Sequence, residues 1–184
     1  MQTFLILTLC VLTMSCATKD KSEMQMSFKE VERRYSDQAA LAFYSLTYVA
    51  EKAPDCESIQ KYSNKLLQAS ADYRDDWNFG NAIFVANASL GYCAITKGDI
   101  KAAEEYLAKA GSAPGSPQLN TAGLFGFEMR LPRALLQKGR KDSVLKFLDA
   151  SKRFWEKQFS EEPIAKWKSK INAGEIPEFR RSEF

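Results

Sequence analysis

The sequence contains no histidine. That removes the commonest general base, the commonest metal ligand and every nucleophile–imidazole pair. Catalysis by carboxylates or lysine stays open, but no catalytic or metal-ligating set stands out, and no cofactor is expected. Charge of one sign is also scarce. The 26 basic and 23 acidic residues are mixed along the chain, net +3, without a basic stripe, which argues against nucleic acid as a partner. Segments with the period of a strand are missing. The loop at 111–118, dense in Gly, Ser and Pro, lacks the Lys-Ser/Thr ending of a phosphate loop. The apolar run at 4–14 has about eleven residues, too few to cross a bilayer as a mature helix, which takes ~20.

What that first run does fit is the apolar core of an export signal. Small Ser15 precedes Cys16, and charge begins at Lys19. The segment resembles a bacterial lipoprotein signal, in which the cysteine after a small residue is lipidated and becomes the new N-terminus. Thr13 stands where an aliphatic residue is usual, with Leu12 one step early. Cys10 is the rival acceptor, but it follows bulky Leu9. The resemblance implies a signal over 1–15, lipid on Cys16 and a polar tether over 16–26, without periodicity. A plain cleaved signal and an uncleaved anchor are the alternatives. Downstream, 27–175 reads as one folded domain and 176–184 as a C-terminal tail.

Helical spacing pervades the domain, and about seven helices are expected, an all-α fold. The first spans 28–52, with Phe28, Val31, Tyr35, Ala42, Tyr48 and Val49 apolar, and stops at Ala53-Pro54-Asp55. A second covers about 56–73 through Ile59, Tyr62, Leu66 and Tyr73. Asp75 and Asp76 suit the start of a third, which runs to Thr96. Gly98 ends it and Asp99 caps the fourth, which carries Ile100, Ala103, Leu107 and Ala110. A fifth is expected over about 119–138, with Pro132 kinking it or lying in a first turn. A sixth, 141–157, points Val144, Leu148, Ser151 and Trp155 inward. Ser160-Glu161-Glu162-Pro163 reads as the start of the last, which ends at Gly174.

Two stretches, "CAITKGDIKAAEEYL" and "ALLQKGRKDSVLKFL", align on glycines 41 residues apart. The first resembles a tetratricopeptide repeat: Leu90 and Gly91 in one helix, Gly98 at the turn, then Ala103, Leu107 and Ala110. Small Gly91 and Ala103 would let two helices approach while Leu107 fills their groove. In the second unit Pro132 and Val144 stand where small residues are usual. The stretch from "GDIKAAEEYLAKAGSAPGSPQL" to "KRFW", and the ending "GEIPEF", also look like a group of bacterial helical-repeat proteins without an established activity. The implied architecture is antiparallel helix pairs stacked as a short α-solenoid. In such repeats the first helix of each pair lines the concave side. On this chain that face holds Val85, Ala88, Tyr92 and Ile95, then Met129, Arg133 and Gln137. The alternative is that a domain this short packs these positions against its own end helices.

Other features have plainer readings. Adjacent acids at Asp75-Asp76, Glu104-Glu105 and Glu161-Glu162 do not face one another on a helix and suit helix starts or solvated faces. The Asn87-Ala88-Ser89 sequon lies mid-helix. Trp77, Trp155 and Trp167 are expected in the core. After export, Cys56 and Cys93 remain, and disulfides persist outside the cytosol. They lie 19 residues before and 18 after a turn near residue 75, about 28 and 27 Å along antiparallel helices, hence at one height. Helix rotation, which spacing does not determine, decides between a bond and a buried free Cys93 with an exposed Cys56.

The resulting expectation is an exported protein of the bacterial envelope, lipid-anchored in the outer membrane and facing the periplasm. It would bind another protein or peptide. An envelope enzyme using carboxylates on a glycan, or a structural subunit of an assembly, are the alternatives.

Overall fold

A computed structural model describes residues 42–122, 129–155 and 157–179. Cys16, the signal, the tether and the first half of the first expected helix lie outside the described residues, as do 123–128 and the last five positions. Every regular element among the described residues is an α-helix. The helices are α1 (Ala42–Lys52), α2 (Cys56–Ala69), α3 (Phe79–Thr96), α4 (Ile100–Gly111), α5 (Pro117–Ala122), α6 (Arg130–Gln137), α7 (Lys141–Ser151) and α8 (Lys157–Asn172).

α1 buries Phe43, Leu46, Val49 and Ala50 and ends just before Pro54. Tyr48, expected on its inner stripe, is 40% exposed, because Phe43, Leu46 and Val49 set the buried face one residue round. Asp55 caps α2, its carboxylate accepting from the Ser58 N–H at 2.8 Å. α2 ends at Ala69, not near Tyr73, and Tyr73 is largely exposed although its ring stacks on Phe43. The expected helix start at Asp75-Asp76 is also corrected. Asp76 accepts from the Asn78 N–H at 2.7 Å, closing a turn, and α3 begins only at Phe79. Fully buried Asn78 donates to Thr47 Oγ1 at 2.8 Å, anchoring the turn on α1. Trp77 falls in that turn and is 49% exposed, contrary to its expected core position.

α3 is the axis of the molecule. It packs against α1, α2, α4, α5 and α6, and is buried nearly all round. Among the described residues it alone is long and apolar enough to cross a membrane, and here its apolar surface is covered by neighbouring helices. Close packing is built into it. A Cβ on Gly91 would collide with Leu131 and with Tyr106, so this glycine admits α4 and α6 together. One on Gly80 would strike the Pro114 carbonyl.

The fifth expected helix is two, α5 and α6, and Pro132 occupies the first turn of α6, where its missing N–H is harmless. α7 stops at Ser151, earlier than expected, whereas α8 starts earlier, at Lys157, with Pro163 inside it. The Ser160–Pro163 reading of its start is therefore corrected. Proline forfeits one internal hydrogen bond, but Pro163 continues the buried face of Ile164, Trp167 and Ile171.

α3, α6 and α8 end alike. Gly98, Gly139 and Gly174 have φ of +84°, +72° and +84°. In each case the next residue's N–H reaches back to the carbonyl five residues earlier: Asp99 to Ala94, Arg140 to Leu135 and Glu175 to Lys170. Gly174 extends the repeat of capped helices by a third copy, 35 residues after Gly139.

An aromatic ladder closes the far end of the core. Phe84 meets Phe147 and Phe154, Trp155 meets Trp167, and Trp167 meets Phe179 with centroids 5.3 Å apart. Phe179 reaches its place with φ +57° and is buried, so the segment after 176 is packed on the domain this far. Trp155 and Trp167 lie in the core as expected.

Candidate functional site

The C-terminal turns of α3 and the length of α6 leave a groove of about 480 Å³ between them. Tyr92, Ile95 and Thr96 form one wall; Arg130, Arg133, Ala134, Gln137 and Lys138 form the other. Gly91 brings the walls close, since Leu131 occupies the space its side chain would take. The Arg130 guanidinium lies 4.7 Å above the Tyr92 ring. Three cations line the groove, and no carboxylate does among the described residues.

Four residues of the expected face, Tyr92, Ile95, Arg133 and Gln137, meet in this groove. Val85 and Ala88 do not: they are 1% and 2% exposed, inside the core. The reason is that α3 is enclosed by several helices nearly all round, and only Tyr92, Ile95 and Thr96 in its last turns line the groove. Met129 is half-buried against the core rather than lining the groove, and Ile95 offers little more than an edge at 5% exposure. Thr96, Arg130, Ala134 and Lys138 were not anticipated. Arg130, Arg133, Ala134 and Gln137 follow i, i+3, i+4, i+7, a spacing that extends the face from Arg133 in both directions.

Beside the groove, Cys56 and Cys93 are joined in a disulfide, Cα–Cα 5.5 Å. It ties the first turn of α2 to α3 one turn before Thr96. Thr96 Oγ1 lies 3.5 Å from Cys56 Sγ and donates to the Cys93 carbonyl at 2.9 Å. The bond therefore holds the α3 wall from behind.

Two of the paired acids, Glu104 and Glu162, are engaged in ion pairs elsewhere. Glu104 forms a bidentate pair with Arg140, at 2.8 and 3.1 Å, and accepts from the Ser143 hydroxyl. Arg140's hydrogen bonds, then Ser143's, hold the Glu104 carboxyl below its ordinary range. This residue, expected on a solvated face, instead links α4 to the start of α7. Glu162 pairs with Lys166 one turn on. A second concavity of about 630 Å³, between α7 and α8, is bordered by Lys152 and Lys168, and both of these pair with Asp149. Those two hydrogen bonds, Lys168's first, lower the Asp149 carboxyl. Around α1, Tyr44 and Trp77 form an exposed aromatic pair, 5.3 Å between centroids. Among the described residues no three His, Cys, Asp or Glu side chains gather as a metal site would require.

No protein-family model, curated protein or solved structure matches this chain.

Proposed function

We propose that the protein is an exported, lipid-anchored adaptor of the cell envelope that binds another polypeptide in the groove between α3 and α6. The observation that carries this reading is the convergence of Tyr92, Arg133 and Gln137 on one open groove. They come from two helices, at the positions where a tetratricopeptide stack would present them.

Packing supports the stacked arrangement. α1 pairs with α2, α3 with α4 and α6 with α7. First helices touch first helices, α1 on α3 and α3 on α6, while α4 touches α7. α8 then packs on α7 as a closing helix. Among the described residues the main helix–helix contacts reach to the next pair, as in a one-dimensional stack. The recurring glycine ends of α3, α6 and α8, and the close approach at Gly91, agree with it. Export is supported by the segment ahead of Cys16 and by a disulfide suited to an oxidising compartment.

A photo-crosslinking residue at exposed position 137, in cells, tests the groove. The expected result is a discrete adduct, identified by mass spectrometry, that is missing when the same residue stands at exposed position 105 on α4. Equal adducts from both positions would reject the groove as the docking site.

A further inference from the structure

We infer that the groove accepts an acidic polypeptide segment, in which carboxylates flank an apolar side chain. This rests on the reading of the α3–α6 groove as a docking site.

Charge pairing is the habit of this molecule. Arg140 pairs with Glu104, Lys152 and Lys168 with Asp149, Lys166 with Glu162, and Lys52 with Glu51. The groove departs from it. Arg133 and Lys138 make no ion pair among the described residues, and the walls hold no carboxylate to answer them. Lys138 has a local role, since a cation suits the C-terminal end of α6. Arg133 has no such role. It stands in the first turn of α6, where the helix dipole is positive and disfavours cations. That turn holds no acid, and Met129 at its N-cap offers no side-chain acceptor. The unfavourable field is relieved when an anion enters the groove. Arginine's planar fork matches a carboxylate in two parallel bonds. On the other wall, beside the Thr96 hydroxyl, the Tyr92 ring and the edge of Ile95 give an apolar surface that favours a non-polar side chain between the acids.

The test uses the full chain in detergent and three fluorescein-labelled peptides of repeated Glu-Leu-Glu-Gly, Gln-Leu-Gln-Gly and Lys-Leu-Lys-Gly. Fluorescence anisotropy is read at low and high salt. The Glu peptide is expected to bind about tenfold or more tightly than its neutral isostere, and to weaken with salt. Arg133→Glu, or Arg133→Gln should the reversal unfold the domain, is expected to lose about tenfold. Lys101→Glu makes the same change of net charge on exposed α4 and is expected to leave binding unchanged. Equal binding of Glu and Gln peptides, both blocked by Ala134→Trp, overturns the acidic preference and leaves the groove standing. Glu-peptide binding that survives both Arg133→Glu and Ala134→Trp overturns both. If none of the peptides binds, the acidic preference falls, and cross-linking from position 137 judges the groove separately.

Discussion

Cys56→Ser cuts the one covalent tie among the described residues, between the first turn of α2 and the body of α3. The choice of side matters. Cys56 is partly exposed and opens a helix, where serine fits well, whereas Cys93 is fully buried against Ala53 and Ile59. Serine at 93 would bury a hydroxyl and confuse two effects. With serine at 56, Cys93 remains as a small apolar residue in its pocket. The measured loss is then chiefly that of the cross-link.

The bond closes a loop of 37 residues. On the chain-entropy model at 25 °C, that restricts the unfolded chain by about 4 kcal/mol. For a domain of this size, a loss of that order lowers the melting temperature by roughly 8–16 °C. Urea denaturation followed by circular dichroism should show the drop in midpoint. Its slope should also steepen, because the unlinked unfolded chain exposes more surface. Reduction of the wild type should reproduce the variant's curve. A loss below about 1 kcal/mol would refute the loop-closure argument. Two titratable thiols in unfolded, oxidised protein would refute the bond itself.

Gly91→Val should destabilise by roughly 1–3 kcal/mol or abolish folding, since the new side chain meets Leu131 and Tyr106; thermal melts decide, and wild-type stability would contradict the close approach. Phe179→Ala should cost roughly 3 kcal/mol by emptying the end of the aromatic ladder, checked by a denaturant midpoint shift and by changed tryptophan emission from Trp167. Glu104 and Asp149 have carboxyls lowered by their partners' hydrogen bonds, so each stabilises above its ordinary unfolded value of about 4 and loses that contribution as pH falls through the lower folded value. Stability measured downward from pH 6 should therefore decline less steeply in Glu104→Gln; an unchanged slope would show that the Arg140 pair is not felt. Cys16→Ser should move the protein to the soluble fraction or block its processing, read by fractionation and a fatty-acid label; labelling that persists would reject Cys16 as the acceptor.

Helix ends were legible wherever one residue type had a single job. Gly98, Gly139 and Gly174 each take a positive φ that side chains resist, and Asp99 accepts from an N–H in the first turn of the next helix. Ends were misread where a residue serves two structures. Asp76 suits a helix start and a tight turn alike, and the turn won because buried Asn78 is anchored to Thr47. Pro163 suits a first turn, yet the buried face running through Ile164 and Trp167 carries the helix past it. The disulfide was legible in height and not in azimuth, which only the packing of α2 on α3 decides. The candidate groove was half legible for a related reason. α3 is apolar all round, so periodicity cannot say which side its neighbours cover, and Val85 and Ala88 lie inside the core. α6 is strongly two-sided, and its polar stripe through Arg133 and Gln137 lines the groove.

The same packing explains why an open groove exists at the C-terminal end of α3 and not at its start. α1 is tied to the first turns by the Thr47–Asn78 bond, and the loop at Pro114 closes on Gly80. At the other end Gly91 draws in α4 and α6 from one side, and the disulfide holds α2 against the opposite side. Tyr92 and Thr96 are left facing α6, with no helix above them among the described residues. A wall so braced does not have to reorganise when a segment docks, which lowers the ordering cost of binding. It follows that loss of the disulfide should weaken capture at position 137 more than the remaining folded fraction explains. The comparison is made well below the variant's melting temperature, with crosslinking yield divided by the native population. A yield equal to wild type after that correction would mean that the groove keeps its shape without the bond.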